Sequence, residues 1–446
     1  MSEEVALAPR AELGTEAVGL LQRLIRIDTS NPPGNEAEAQ SMLREVLEKA
    51  GFECELAARD PERPNLVARL RGREPGPVLC LLGHADTVPA DPADWSGDPW
   101  SGELRDGEVW GRGAIDMKGQ VAAEVAAAVS LGRSGWRPGK GDLLVVITVD
   151  EERGAACGAK WLCAERPELV RSDLVVNEGG GVAIDFAGRR FYTVALGEKG
   201  VCRLRLRTTG RAGHASMPRI GDNAVLKMAP LLERLRHRAP LEPTTEAVQL
   251  LSSLLGEDLG DASGPELDAA VERVRSQQPA LADYLVEPLL GVTFSPVVIT
   301  GGVTDNVIPA HCEVLVDCRV PPEGGEEHVR ERLAELLGEG DWEVEIPECV
   351  VGNRSRFEGP LADAIAAWLS EVDATAAPVP SAMPGFSDSH WFRKAFGATV
   401  YGFWPRNAMT LGELEPLIHG ADERVAVSDL ELSAGFYFDL PRRVLA

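Results

Sequence analysis

An α/β architecture, with a mostly parallel central sheet interrupted by a smaller α+β domain, is what this sequence predicts. Three observations carry the expectation. Short apolar runs rich in Val, Leu and Ile recur without alternation, as in strands buried on both faces of a parallel sheet. Helix-forming stretches separate these runs as far as residue 197. After Gly197-Glu198-Lys199-Gly200 the pattern switches to the alternation Val201-Cys202-Arg203-Leu204-Arg205-Leu206-Arg207, the mark of a strand with one wet face.

Taken in chain order, a helix near Leu20 precedes the first run, 78–82, which ends in Gly83-His84-Ala85-Asp86-Thr87-Val88-Pro89. His84 can bind a metal through one ring nitrogen while Asp86 accepts the other N–H and holds the ring in one tautomer. Alone, a His-x-Asp pair is more often a surface polar pair. Gly111-Arg112-Gly113-Ala114-Ile115-Asp116-Met117-Lys118-Gly119 follows, then an Ala-rich run at 121–130 that reads as a helix. Asp116 therefore lies in the loop feeding that helix, between glycines that permit tight backbone. The run 143–149 leads into Asp150-Glu151-Glu152, and 174–176 into Asn177-Glu178 and three glycines. An adjacent Glu-Glu pair is ordinarily a solvated acidic turn. Ligands of open parallel sheets, however, gather outside the carboxyl ends of the strands. Three carboxyl ends bearing His84, Glu151-Glu152 and Glu178 point to one site.

The alternating strand opens the second domain, expected over 198–350 and inserted between catalytic segments 1–197 and 351–446. Helices near 222–238, 265–276 and 326–337 and strands at 296–300 and 313–319 give it an α+β character. The Pro-rich start of 240–290 leads into a helical elaboration without an assigned role. His419, in Ile418-His419-Gly420-Ala421-Asp422-Glu423-Arg424, completes a set of two histidines and three carboxylates with His84, Asp116, Glu152 and Glu178. That set suffices for two divalent ions sharing a bridging carboxylate. It contains no cysteine, which suits a catalytic zinc pair better than a closed structural site.

The motifs Gly-His-x-Asp-Thr-Val-Pro, Gly-Arg-Gly-x-x-Asp-Met-Lys-Gly, Asp-Glu-Glu and the late His-Gly, in this order, resemble the di-zinc metallopeptidases. That family includes aminoacylases, glutamate carboxypeptidases, succinyl-diaminopimelate desuccinylases and carboxypeptidase S. The resemblance spans nearly the whole chain. It implies a zinc-peptidase-like catalytic domain and a lid or dimerisation domain, hence a homodimer. It implies that Asp116 bridges two ions, that His84 and Glu178 complete one and that Glu152 and His419 complete the other. Zinc is the expected metal, with cobalt or manganese as alternatives. Glu151 would be the general base towards a metal-bridged water, Asp86 the partner of His84, and the peptide after Asp116 cis. His214, in Gly210-Arg211-Ala212-Gly213-His214-Ala215-Ser216-Met217-Pro218, resembles the lid histidine that steadies the oxyanion, usually in the partner subunit's site. Asn306 and Arg319 match substrate-contacting positions, with a structural role an equal alternative. One loop departs from the pattern. Relatives often carry Thr-Asp-x-Arg where this chain has Ser387-Asp388-Ser389-His390, so His390 stands where arginine is common. The implied activity is hydrolysis of an amide bond in an N-acyl amino acid or small peptide. Dipeptidase or carboxypeptidase action and desuccinylation are the alternatives, with an esterase, a reverse amide synthase or an inactive binding module further off. Phe386, Trp391, Phe403 and Trp404 are read as core before acyl pocket.

Composition limits the partners. The 446 residues, 44% of them hydrophobic, suffice for sizeable cores. With 45 basic against 70 acidic residues the formal charge is −25, which disfavours nucleic acid and anionic membrane surfaces. The first ten residues lack a basic stretch followed by an apolar core, and no run approaches the roughly 20 residues that span a bilayer. Eight scattered cysteines without a Cys-x-x-Cys pair suggest reduced thiols and a cytoplasmic setting.

Overall fold

The computed structural model describes residues 10–446; the leader-free reading of the N-terminus falls largely outside them. The chain divides into two compact units. One holds the residues up to Gly197 together with Arg354–Ser381 and Ser387–Ala446. The other holds Glu198–Asn353 and Ala382–Phe386, a short return not visible in the sequence pattern.

The first unit is built on a nine-stranded sheet. Its spatial order is Glu53–Ala57, Asn65–Arg71, Lys140–Thr148, Glu74–His84, Leu174–Asn177, Thr399–Gly402, Arg189–Glu198, Ala376–Met383, with Ala183–Phe186 beside Arg189–Glu198. The four strands from Lys140–Thr148 to Thr399–Gly402 are parallel. Flanking ladders run antiparallel. The apolar runs mark the central strands because those lose water on both faces. Leu79, Cys80, Leu81, Leu82 and Leu143 to Ile147 are fully buried. On one face Cys80, Leu82, Leu144, Val146, Val175 and Val400 pack with Leu162 and Phe392. The helices Arg10–Ile25, Lys118–Arg133 and Val427–Val444 pack together as a layer.

Register decides where the chemistry sits. His84 is paired with Thr148, and Leu81 lies between Val145 and Val176. Three neighbouring parallel strands thus end side by side, at His84, before Glu151-Glu152 and before Glu178. The Ala-rich helix begins at Lys118, whose buried amine donates to the carbonyls of Leu24 (3.0 Å) and Ile27 (2.9 Å). Burial lowers its pKa to about 8. Gly119 is required beneath it, since a Cβ there would lie 2.2 Å from the Ala114 carbonyl oxygen.

The second unit has an antiparallel sheet ordered Thr293–Gly301, His311–Val320, Gly200–Thr209, Glu343–Val350. Strand Gly200–Thr209 alternates buried and wetter residues as its sequence predicts. Helices Ala224–Leu235 and Glu326–Leu337 cover one face through Met228, Leu231, Leu333 and Leu337. The 240–290 elaboration contains helices Thr245–Leu255 and Gly264–Gln277. Lys199 ties its end down, donating to the carbonyls of Pro288 and Gly291 at 2.7 Å each. The expectation of reduced thiols throughout fails at one pair, because Cys202 and Cys349 face each other on adjacent strands and form a disulfide. Among the described residues, no helix is long and apolar enough to cross a membrane.

Candidate metal centre

His84 ends its strand fully buried. Its Nε2 lies 3.2 Å from Asp116 Oδ1 and 3.9 Å from Glu178 Oε1. The imidazole of His419 faces the other oxygen of the same carboxylate, 3.2 Å from Asp116 Oδ2 and 3.3 Å from Glu152 Oε2. The two oxygens of Asp116 therefore each address a different histidine, with Glu178 beside one and Glu152 beside the other. Ligand atoms of His84, Glu151 and Glu178 lie within 4.8 Å of one another, as do those of His84, Asp116 and Glu152. Five residues from five separate stretches meet here, with Glu151 adjoining them.

Local backbone sustains this meeting. The Asp116–Met117 peptide is cis. Gly113 has φ +83°, and a Cβ there would lie 2.7 Å from the Thr87 side chain. Asp150 and His419 hold left-handed conformations, φ 64° and 60°, which cost non-glycine residues about 1–3 kcal/mol each and tend to cluster at functional sites.

Asp86 corrects the simple picture of a His-x-Asp pair. His84 Nδ1 is 2.9 Å from the Asp86 backbone carbonyl and 3.5 Å from its carboxylate. That carboxylate instead accepts the amides of Glu151 and Glu152, both at 3.2 Å, and the Asn31 side-chain amide at 2.9 Å. Asn31 also donates to Asp150 Oδ1 (3.1 Å), which receives Arg63 as well. Arg63 in turn pairs with the buried Glu36. Asp86 thus anchors the turn that carries Glu151 and Glu152 as much as it anchors His84.

The electrostatics fit divalent cations. Burial pushes Glu151 well above the usual carboxylate range, and Glu178 and Asp388 push it further. Burial and Asp116 raise Glu178 to about 8. The hydrogen bonds to Asp116 and Glu152 raise His419 to about 10, and at His84 the Asp116 and Asp86 carboxylates outweigh the lowering effect of burial. A crowd of acids and imidazoles sharing protons in this way is the protonated counterpart of a metal site, from which metal binding releases protons. Glu152 Oε1 and Glu178 Oε1 are also buried without a hydrogen-bond partner. Oxygen and imidazole donors with no thiolate suit zinc, cobalt or manganese.

His214 and Asn306 belong to the second unit and are neighbours there. Strand Gly213–His214 pairs with Val307–Ile308, and the Ala215 amide donates to the Asn306 carbonyl at 2.9 Å. His214 is exposed, its Nδ1 2.8 Å from the Ser216 hydroxyl. Arg319, on His311–Val320, pairs with Asp317 at 2.8 Å. His390 is buried at the start of helix Ser389–Phe396, beside Trp391, and burial lowers its pKa to about 4. Phe403 and Trp404 are core.

Residues 80–443 match the family model described as peptidase family M20/M25/M40. The chain belongs to that family. A protein named succinyl-diaminopimelate desuccinylase from Rhodospirillum centenum is 31% identical over 437 residues, covering 95% of this chain and 96% of that one. One of the same name from Bordetella petrii is 29% identical over 424 residues, with 94% and 95% covered. Among solved structures, an M20 metallo-carboxypeptidase from Sulfolobus solfataricus superposes with TM-score 0.72 at 18% identity, covering 96% of this chain and 99% of its own. Human carnosine dipeptidase 1 gives 0.67 at 16%, with 97% of each chain covered. This M20 enzyme is a metal-dependent hydrolase of amide bonds. Sequence reasoning missed Asn31, Arg63 and Glu423, which touch the ligand segments without belonging to any ligand pattern.

Proposed function

We propose that this enzyme hydrolyses the amide bond of an N-acyl amino acid or small peptide at a two-ion site, with Glu151 as general base. The observation that carries the reading is the Asp116 carboxylate facing His84 with one oxygen and His419 with the other. His84 and Glu178 would hold one ion, Glu152 and His419 the other, and Asp116 both. Such ions supply Lewis acidity towards the scissile carbonyl and lower the pKa of a shared water towards neutrality. Glu151 would accept a proton from the attacking water on a carboxylate oxygen as the water oxygen bonds the carbonyl carbon, and would return that proton to the amine nitrogen as the C–N bond breaks. Burial raises the Glu151 pKa above the usual carboxylate range, the direction that helps a base return its proton as an acid. Asp86, gripping the Glu151 and Glu152 amides, keeps base and ligand in a fixed relation.

Zinc is the metal in this reading. Asn306, Arg319 and His390 are assigned to substrate, with Arg319 offering a two-pronged bond to a carboxylate. His390 would bind an anion less well, since burial keeps it neutral. The inserted unit joins two copies and supplies His214 to the oxyanion. The edge strand Thr293–Gly301 supports pairing, since Val297, Val298 and Ile299 stand 60%, 48% and 55% exposed on a strand with one open side. A cytoplasmic setting is retained as part of the proposal.

Desuccinylation is the second reading, favoured by the names of both similar relatives. Free-amine release from N-acetyl, long-chain N-acyl and N-succinyl amino acids and dipeptides tests both. Turnover of N-succinyl substrates alone selects desuccinylation, and turnover of N-acetyl or long-chain acyl substrates selects the aminoacylase type. Absence of turnover on the whole panel by zinc-loaded enzyme would contradict both.

A further inference from the structure

Two ligands in this reading, Asp116 and His419, come from loops far apart in the chain, Arg112 beside the first lying 307 residues from His419, yet they must meet to within a hydrogen bond. The structure places one side chain between their backbones. Glu423 is fully buried. It immediately precedes strand Arg424–Ala426, which pairs antiparallel with Glu108–Trp110, the strand that enters the Asp116 loop. This pairing, with the Gly111 amide donating to the Glu423 carbonyl at 2.9 Å, lays Glu423 over the loop.

Its carboxylate is saturated. Oε1 accepts the amides of Ile115 (2.7 Å) and Asp116 (2.9 Å). Oε2 accepts the Gly113 amide (2.9 Å) and Arg112 Nη1 (2.7 Å). The other end of that guanidinium, Nη2, donates to the carbonyl of His419 at 3.3 Å. One buried ion pair therefore runs from the backbone N–H of one ligand to the backbone C=O of the other. Arg112 is itself buried, under the Trp95 ring. A buried ion pair is a poor source of net stability, because desolvating both charges offsets their attraction. Its attested use is to fix one arrangement among several.

We propose that Glu423, acting with Arg112, is a positioning residue that sets the Asp116 carboxylate and the His419 imidazole at the spacing a divalent ion needs. The proposal rests on the two-ion reading of the site. It assigns Glu423 no contact with substrate or ion. Glu423→Gln keeps the volume but replaces one accepting oxygen with an NH2 group facing amide hydrogens. It should disturb the ion held by His84 and Glu178 less, since of that ion's ligands only Asp116 is tied to Glu423. Binding of the ion that needs Asp116 with His419 should weaken by about 10–100-fold, the usual cost of removing an outer partner of a ligand.

The experiment is a zinc competition titration of the metal-free full chain, wild type beside Glu423→Gln and Arg112→Lys, with thermal unfolding of each metal-free protein. Weakening of one ion more than the other in Glu423→Gln, with Arg112→Lys shifting that same ion, supports the proposal. Two ions bound with wild-type affinities in both variants, whatever happens to unfolding, overturns it and leaves a structural staple. If Glu423→Gln does not fold, Arg112→Lys decides alone, since it keeps the three amide bonds to Glu423 and removes the tie to His419. Failure of the wild type to bind a second ion would count against the two-ion reading itself, which is a separate result.

Discussion

The two units hold their candidate residues in different ways. In the first, every ligand candidate is fixed by elements that pair elsewhere. His84, Glu151-Glu152 and Glu178 follow three adjacent parallel strands, and Asp116 and His419 are joined through Glu423 and Arg112. In the second, His214 sits exposed on a two-residue strand, its Nδ1 meeting the amide and hydroxyl of Ser216. The first arrangement is over-determined before anything binds. The second leaves its histidine free to be recruited. Substitutions in the two units should therefore fail differently, in metal binding or preorganisation for the first and in turnover alone for the second.

The largest effect is expected at Glu151. Glu151→Gln should lower free-amine release by about 10²–10⁴-fold, the range of a lost general base, while elemental analysis finds the wild-type ion content. His214→Ala comes next. Losing one donor to a developing oxyanion costs about 10²–10³-fold in kcat. Ion content and thermal unfolding should be unchanged, because the side chain is exposed; a variant that also lost ions would erase the contrast between the units. Asn31→Ala should reduce kcat by about 10–100-fold with folding retained, since Asn31 bridges Asp86 and Asp150 behind the Glu151 turn. An unchanged kcat would show that Asp86 needs no such support.

The smallest effect concerns acid stability of the first unit. Burial holds His390 at about 4 against an ordinary 6.5. Above pH 6.5 the group is neutral in both folded and unfolded chains and costs nothing. Between 6.5 and 4 the unfolded chain binds a proton that the folded one refuses, so stability is lost as pH falls through that window. The drop in melting temperature between pH 7 and 4.5 should be smaller in His390→Gln than in wild type by a few degrees, about 2–4 °C for each kcal/mol removed. An identical drop in both proteins would mean that His390 is protonated in the fold.

Much of this was legible in the sequence because local pattern and site position coincide. Strands without alternation had to be central, and polar residues directly after central parallel strands had to converge. Glu326–Leu337 and the alternating strand Gly200–Thr209 were legible for the same reason, through their periodicities. The antiparallel flanks, the Cys202–Cys349 pair and the return of Ala382–Phe386 were not, because each depends on the register of distant segments. Asn31 and Glu423 were hidden in the same way. Each acts by hydrogen bonds across long chain separations, and neither lies on an apolar run that would have announced it. The one available signal for Glu423 was an acid set between a ligand histidine and a short strand.

The most direct test of the central claim is a count of ions. Native mass spectrometry of the zinc-reconstituted full chain, beside His419→Ala, should find two ions in the wild type and one in the variant, because His84, Glu178 and Asp116 still serve the first. A single ion in the wild type, or two still bound after His419→Ala, would contradict a centre in which Asp116 is shared between two imidazoles.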